Sequence, residues 1–282
     1  MRILITGAGG MLGSDVCRTA SAAGLDVVAL DHAGLDVANA DAVESAVDHA
    51  RPGAVINCAA WTDVDGAESE FEAALAANRD GAGNVARAAA AIGAWTIHMS
   101  TDYVFDGTKS EPYVESDAVN PQSAYGRSKL EGELAVAEAA PDNHTIVRTA
   151  WLFGAGGRCF PKTILRLASE REELTVVDDQ VGCPTFTGHL AAALVELVVG
   201  ERLVGAVHGA AAGQCSWFEF AQEIVHASGL ACEVRPGKTA DLDRAAPRPA
   251  YSVLRSERRG APELPDWHDG LREFMALEVP VT

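Results

Sequence analysis

The sequence lacks any apolar run of the ~18 residues that a membrane span needs. Its longest, Ala191–Val199, is interrupted by Glu196. Basic residues are few: 22 Lys and Arg stand against 40 Asp and Glu, a net charge of −18. A surface of that sign repels a phosphate backbone and an anionic bilayer, so neither nucleic acid nor membrane is an expected partner. Cysteine is scarce as well. The six thiols, at 17, 58, 159, 183, 215 and 232, form no C-x-x-C pair and lie mostly in apolar or helical stretches. That is the pattern of buried thiols in a cytosolic protein, not of a disulfide framework. The N-terminus has no signal-peptide layout, since Met1-Arg2 lead directly into Ile3-Leu4-Ile5; a cytoplasmic location is expected. None of the eight histidines stands in H-x-x-x-H or H-E-x-x-H spacing, so no catalytic metal is expected.

What is there is an ordinary globular composition, 48% hydrophobic and 22% charged over 282 residues. At roughly 150 residues per domain this means one large domain or two modest ones. Short β-branched runs at Ile3–Thr6, Asp26–Leu30, Ala54–Asn57, Thr96–Ser100 and Thr145–Arg148 read as strands. Helical patterns at about 11–23, 41–50, 70–92 and 123–140 lie between them. Alternation of this kind predicts an α/β fold, a doubly wound parallel sheet with helices on both faces. After Arg148 the rhythm changes. Helical stretches at about 159–171, 187–200, 216–229 and 267–277 are separated by short strands and by Pro-rich turns around Pro247, Pro249, Pro262 and Pro265. The expectation is a dinucleotide-binding domain over 1–150 and a smaller α+β unit over 151–282, with some segments of the latter returning to the sheet.

Directly after the first strand comes Gly7-Ala8-Gly9-Gly10-Met11-Leu12-Gly13, a G-x-x-G-x-x-G loop that opens into a helix. Such a loop brings backbone amides and a positive helix end up to a diphosphate. Gly7 allows the turn, Gly10 the approach of the phosphates, and Gly13 close packing of helix on strand. The second strand ends at Asp31, where a carboxylate can grip a ribose 2′-hydroxyl and repel a 2′-phosphate, which favours NAD(H) over NADP(H). Asp36 and Val37 are candidates for the adenine side. Further on, Tyr125 and Lys129 in Ser123-Ala124-Tyr125-Gly126-Arg127-Ser128-Lys129 project from one helix face. A lysine there is expected to lower the tyrosine pKa and ready it to protonate an alkoxide. The strand 96–100 ends at Ser100-Thr101-Asp102-Tyr103, which places hydroxyls at the sheet edge where ligands bind in such folds.

With these residues assembled, the chain resembles the extended short-chain dehydrogenase/reductases and, within them, the dTDP-4-dehydrorhamnose reductase family. The resemblance runs through Val55-Ile56-Asn57-Cys58-Ala59-Ala60-Trp61-Thr62-Asp63-Val64-Asp65, Ser100-Thr101-Asp102-Tyr103-Val104-Phe105-Asp106-Gly107 and Arg148-Thr149-Ala150-Trp151-Leu152-Phe153-Gly154. It continues in Asp179-Gln180-Val181-Gly182-Cys183-Pro184-Thr185 and Arg248-Pro249-Ala250-Tyr251-Ser252-Val253-Leu254. Cys58 and Trp61 depart from residues usual in relatives. The resemblance implies reduction, by NADH or NADPH, of the C4 keto group of dTDP-4-dehydro-β-L-rhamnose. It implies catalysis by Thr101, Tyr125 and Lys129. Cofactor contacts would come from Gly7, Gly10, Met11, Leu12, Gly13, Asp31, Asp36, Val37, Ala59, Ala60, Tyr125 and Lys129. Substrate contacts would come from Thr62, Val64, Thr101, Asp102, Trp151 and Arg248, with Trp151 covering sugar or nicotinamide and Arg248 meeting the diphosphate or serving as a structural carboxylate partner. A homodimer is compatible with it. His98 reads as a buried, hydrogen-bonded histidine.

Two rival readings share the fold. A sugar-nucleotide 4,6-dehydratase would need an Asp-Glu pair after the threonine, and Thr101 is followed by Asp102-Tyr103. A non-catalytic regulatory subunit, resembling the β subunit of methionine adenosyltransferase, could keep the cofactor loop, but it has no need of Thr101, Tyr125 and Lys129 together. A reductase for a different dTDP-4-keto-6-deoxysugar remains open at this point.

Overall fold

The computed structural model describes residues 1–278. Strands β1 (Arg2–Thr6), β2 (Asp26–Leu30), β3 (Ala54–Asn57), β4 (Trp95–Thr101) and β5 (His144–Thr149) form one sheet with a sixth strand, Gly205–His208. Across the sheet the order is 205–208, β5, β4, β3, β1, β2, and every neighbouring pair is parallel. The expected doubly wound sheet is present. Its chain order reverses between β1 and β3, which opens a crevice at their carboxyl ends, the usual ligand position in such sheets.

Side chains alternate between the two faces, as the period of two in a strand requires. Ile3, Ile5, Ile56 and Ile97 point to one face, where helix α1 (Met11–Ala22) and the helix Thr187–Val199 cover them. Leu4 and Val55 point to the other, under the helices Ala40–Ala50 and Gly81–Ala91. A separate aromatic core joins the helices Phe160–Glu170, Trp217–Ser228 and Trp267–Glu278 around Phe153, Phe220 and Phe274. Beside it, Glu173–Val177 pairs in parallel with Glu233–Gly237. No described helix is long and apolar enough to cross a membrane.

One helical stretch differs from its sequence pattern. The residues expected as a helix over about 70–92 are helical from Phe71 to Ala91, but a π-helical turn at Ala76–Asp80 separates Phe71–Leu75 from Gly81–Ala91, and a short helix, Gly66–Ser69, precedes them. The wide turn pushes Asn78 out against the helix Ala124–Ala139, and Gly132 of that helix has no room for a Cβ beside the Asn78 carbonyl. Asn78 is fully buried. Its amide accepts from Trp61 N at 2.9 Å and donates to Trp61 O at 3.1 Å and to Ser128 Oγ at 2.9 Å. Helical turns of this kind often sit at functional sites. Here the turn ties the loop after β3 to the helix that carries Tyr125 and Lys129.

Candidate active site

The glycine loop lies at the β1–β3 crevice. Gly7 has φ +67°, a conformation that costs glycine little, and a Cβ there would come within 2.6 Å of Ala59 N. Gly13 abuts the Gly7 carbonyl so closely that any side chain would displace helix α1 from the strand. Gly10 is the N-cap of α1 and offers no side-chain cap, so the first amides of the helix are not satisfied by a side chain. An uncapped helix start framed by three glycines is a cradle of the size and charge that a dinucleotide diphosphate fills. Around it, Asp31 ends the strand turn, accepts from Gly34 N at 2.9 Å, and packs its Cβ beside Gly9. Asp36 is exposed and accepts from Ala38 N at 3.0 Å. Leu12 and Val37 are buried in the two sheet-face cores, and Met11 packs against the 156–157 turn. Ala59 and Ala60 follow β3 and are half-buried, with Ala59 against Gly7. Asn57, buried, fixes that edge by accepting from Thr6 Oγ1 at 2.6 Å and from Ala59 N at 3.2 Å.

The reactive hydroxyls are on adjoining elements. Thr101 closes β4, and Tyr125 and Lys129 rise from the helix Ala124–Ala139, whose start is capped by Ser123 Oγ on Gly126 N at 3.0 Å. Thr101 Oγ1 donates to Asp102 Oδ1 at 3.0 Å and accepts from Tyr103 N at 3.2 Å. Burial pushes the Tyr125 hydroxyl up to about 12; the Thr101 hydroxyl opposes this and the Asp102 charge adds to it. The expected lowering by Lys129 is not found. The Lys129 ammonium is directed at the Met99 carbonyl, 2.7 Å away, and burial pulls it down to about 8 against the charge of Glu133. Tyr125 is therefore protonated at neutral pH, the form in which a phenol can donate. Burial also raises Asp102 to about 6, and its Oδ2 is an unpartnered buried oxygen.

Beneath this surface lies a buried ion pair that the sequence does not announce. Arg148 of β5 grips Glu133 through Nε at 2.9 Å and Nη2 at 2.7 Å, and Ser100 Oγ donates to the same carboxylate at 2.5 Å. Glu133 follows Lys129 by one helical turn, so a pattern search at i+4 from Lys129 could have found it. His98 is buried beside them; its Nδ1 meets Asn57 Nδ2 at 3.2 Å while Nε2 is unpartnered.

The substrate candidates divide. Trp151 follows β5 with φ +47° and stacks on Trp217, a residue that sequence reasoning missed. Thr62 is exposed and Val64 half-buried on the loop after β3, whose Trp61 donates through Nε1 to Asp63 O at 2.8 Å. Arg248 is not a free cation. It is paired with Asp65 at 2.7 and 2.8 Å, and these contacts hold the Asp65 carboxyl at about 2 although burial pushes it up. The largest lowering comes from Arg248 itself. Arg248, Tyr103, Ser123 and Pro249 line a small cavity of about 180 Å³ beside the Tyr103–Tyr125 ring contact.

The family model described as the RmlD substrate binding domain matches residues 1–279. The chain belongs to that family. It is 45% identical over 287 residues to a dTDP-4-dehydrorhamnose reductase of Mycolicibacterium smegmatis, covering 100% of this chain and 87% of the relative. It is 42% identical over 254 residues to a dTDP-4-keto-6-deoxy-D-glucose reductase of Streptomyces niveus, covering 90% and 88%. A crystal structure of the Bacillus anthracis dTDP-4-dehydrorhamnose reductase in complex with NADP superposes with a TM-score of 0.94 at 39% identity, over 98% of this chain and 99% of that one.

Proposed function

We propose that the chain is an NAD(P)H-dependent reductase of the C4 keto group of dTDP-4-dehydro-β-L-rhamnose, yielding dTDP-β-L-rhamnose. The observation that carries this reading is the convergence of Thr101, Tyr125 and Lys129 beside an uncapped, glycine-framed helix start. Bound in that cradle, a reduced nicotinamide would supply the hydride. Tyr125 Oη, protonated at neutral pH, gives its proton to the C4 oxygen as charge develops there. Thr101 Oγ1 turns its hydrogen from Asp102 to the same oxygen and orients it. Lys129, whose ammonium is anchored on the Met99 carbonyl, would hold the nicotinamide ribose. Arg248 and Arg244 share the single carboxylate of Asp65, which leaves net positive charge at the rim of an otherwise acidic protein.

Oxidation of NADH or NADPH by dTDP-4-dehydrorhamnose, with the product's stereochemistry checked, tests this directly. Tyr125→Phe should lose at least ~10² in kcat while still binding NADH; near-normal turnover would remove Tyr125 from the reaction. Asp31 faces the ribose end of the cradle, so NADH should give the higher kcat/KM, and Asp31→Ala should narrow or reverse the gap. A wild-type enzyme that prefers NADPH would show that Asp31 turns away from the ribose. A second reading, reduction of another dTDP-4-keto-6-deoxysugar, is favoured by the similarity to the Streptomyces niveus reductase. A panel of 4-keto sugar nucleotides separates the two. The six free cysteines suit a reducing, cytoplasmic setting.

A further inference from the structure

Trp151 stands two residues beyond Thr149, which pairs in register with Thr101, so its backbone is at the edge where the keto group must sit. Its φ of +47° is an outlier for a bulky side chain. Backbone of that kind persists only where the surroundings over-determine it, and an observed outlier is a pointer to function. The surroundings here are specific. The Trp151 ring stacks on Trp217 with centroids 3.5 Å apart and planes 5° from parallel. Free aromatic rings prefer offset or edge-to-face contacts to such a sandwich, so the arrangement is imposed.

Gly182 forms the other jaw. A Cβ there would lie 2.7 Å from both Nε1 and Cζ2 of Trp151 and nearer still to Cε2, the atom between them. An approach in the ring plane would bring the outer two atoms nearer than Cε2. Gly182 therefore lies over the ring face, and because Trp217 occupies one face, Gly182 covers the opposite one. Both jaws have one mounting. Val181-Gly182 pairs antiparallel with Cys215-Ser216, and the next residue is Trp217 at the start of its helix. Ser216 and Glu219 form a reciprocal cap on that helix, and Ser216 Oγ donates to Asp178 Oδ1 at 2.6 Å. On its other side, Val181 accepts from Ser252 N at 2.8 Å, which joins the clamp to the segment that carries Arg248.

We infer that Trp217 is a positioning residue and specificity determinant of the sugar site: with Gly182 it clamps Trp151 so that the rim of the indole, and not its flat face, walls the sugar. This rests on the proposed reduction of a 4-keto sugar nucleotide. It also gives the Val181-Gly182 part of the 179–185 segment a job, since only glycine leaves room for the ring. Hydride and proton transfer use groups on β4 and on the helix Ala124–Ala139, so loss of the clamp should weaken substrate binding more than it slows the chemistry.

The test compares wild type with Trp217→Ala, Trp217→Phe and Gly182→Ala. An aromatic pair contributes up to about 1.5 kcal/mol, so Trp217→Ala should raise the KM for the nucleotide sugar about tenfold, with the KM for NADH unchanged and kcat nearly so. Trp217→Phe should recover most of the loss. Gly182→Ala, which pushes on the other face with Trp217 intact, should raise the same KM. The exciton couplet of the stacked indoles in circular dichroism should be present in wild type and absent from Trp217→Phe. Unchanged KM in Trp217→Ala and Gly182→Ala would overturn the inference, as would a couplet that survives Trp217→Phe. If Trp217→Ala does not fold, the Gly182→Ala kinetics and the Trp217→Phe couplet decide. If wild type fails to reduce any 4-keto sugar nucleotide, the functional reading falls, while the couplet still reports on the clamp.

Discussion

Arg148 and Arg248 each hold a carboxylate with two nitrogens, Glu133 at 2.9 and 2.7 Å and Asp65 at 2.7 and 2.8 Å. The first pair has side chains 7% and 5% exposed, the second 16% and 30%. Geometry alone would call them equivalent. Burial makes them different devices. Arg148–Glu133 joins β5 to the helix of Tyr125 and Lys129 and adds Ser100 of β4, with Arg148 also 5.3 Å from the Phe105 ring centre. Its charges are out of water, so each partner is costly to leave alone. Arg248–Asp65 bridges segments 183 residues apart at the rim of the small cavity, where solvent and salt weaken it. The floor under Tyr125 and Lys129 is fixed by the one pair, and the rim is loosely tied by the other.

The largest expected break is in the floor. Glu133→Gln leaves the Arg148 guanidinium buried against a neutral amide and should cost about 3–5 kcal/mol in urea unfolding. A loss below about 1 kcal/mol would mean that water already reaches the pair. At the rim, Arg248→Ala should cost only about 1 kcal/mol of stability, and that cost should shrink in high salt, while KM for the nucleotide sugar rises several-fold. Equal damage to both measures would erase the contrast between the two pairs. The smallest effect is in acid. Asp65 titrates near 2 in the fold against an ordinary 3.8, so its contribution is complete above about pH 5. It is lost as pH falls from about 4 to 2. Discounted for exposure, this should amount to about 1 kcal/mol, absent from Asp65→Asn.

The parts of the site that were legible in the sequence are those whose meaning is local. A strand, three glycines and a helix follow one another between Arg2 and Ala22, and Tyr125 and Lys129 are one turn apart, so spacing alone carries the geometry. The strand positions were legible because buried parallel strands are short continuous apolar runs. The Lys129 partner was not, because a backbone carbonyl such as Met99 leaves no mark in the sequence. Nor was the π-helical turn at Ala76–Asp80, whose alanines fit an ordinary helix; tertiary packing against Gly132 selects the wider turn. Trp217 looked like any helical aromatic, and only the pairing of Cys215 with Gly182 turns it toward Trp151. Arg248 could be read two ways, and its carboxylate partner lies near the opposite end of the chain.

The sixth strand of the sheet, Gly205–His208, has a consequence for how the molecule is made. Until it docks on β5, that strand's open edge presents unpaired amides and carbonyls, and the covering helix Thr187–Val199 is also missing from α1. A nascent chain that has emerged only to Thr149 thus has α1 alone to cover the face that carries Ile3, Ile5, Ile56 and Ile97. Closure waits for contacts some 60 to 190 residues apart, the kind that slow folding and invite association with other chains. Only when residues 205–208 have paired with β5 is that edge of the sheet closed.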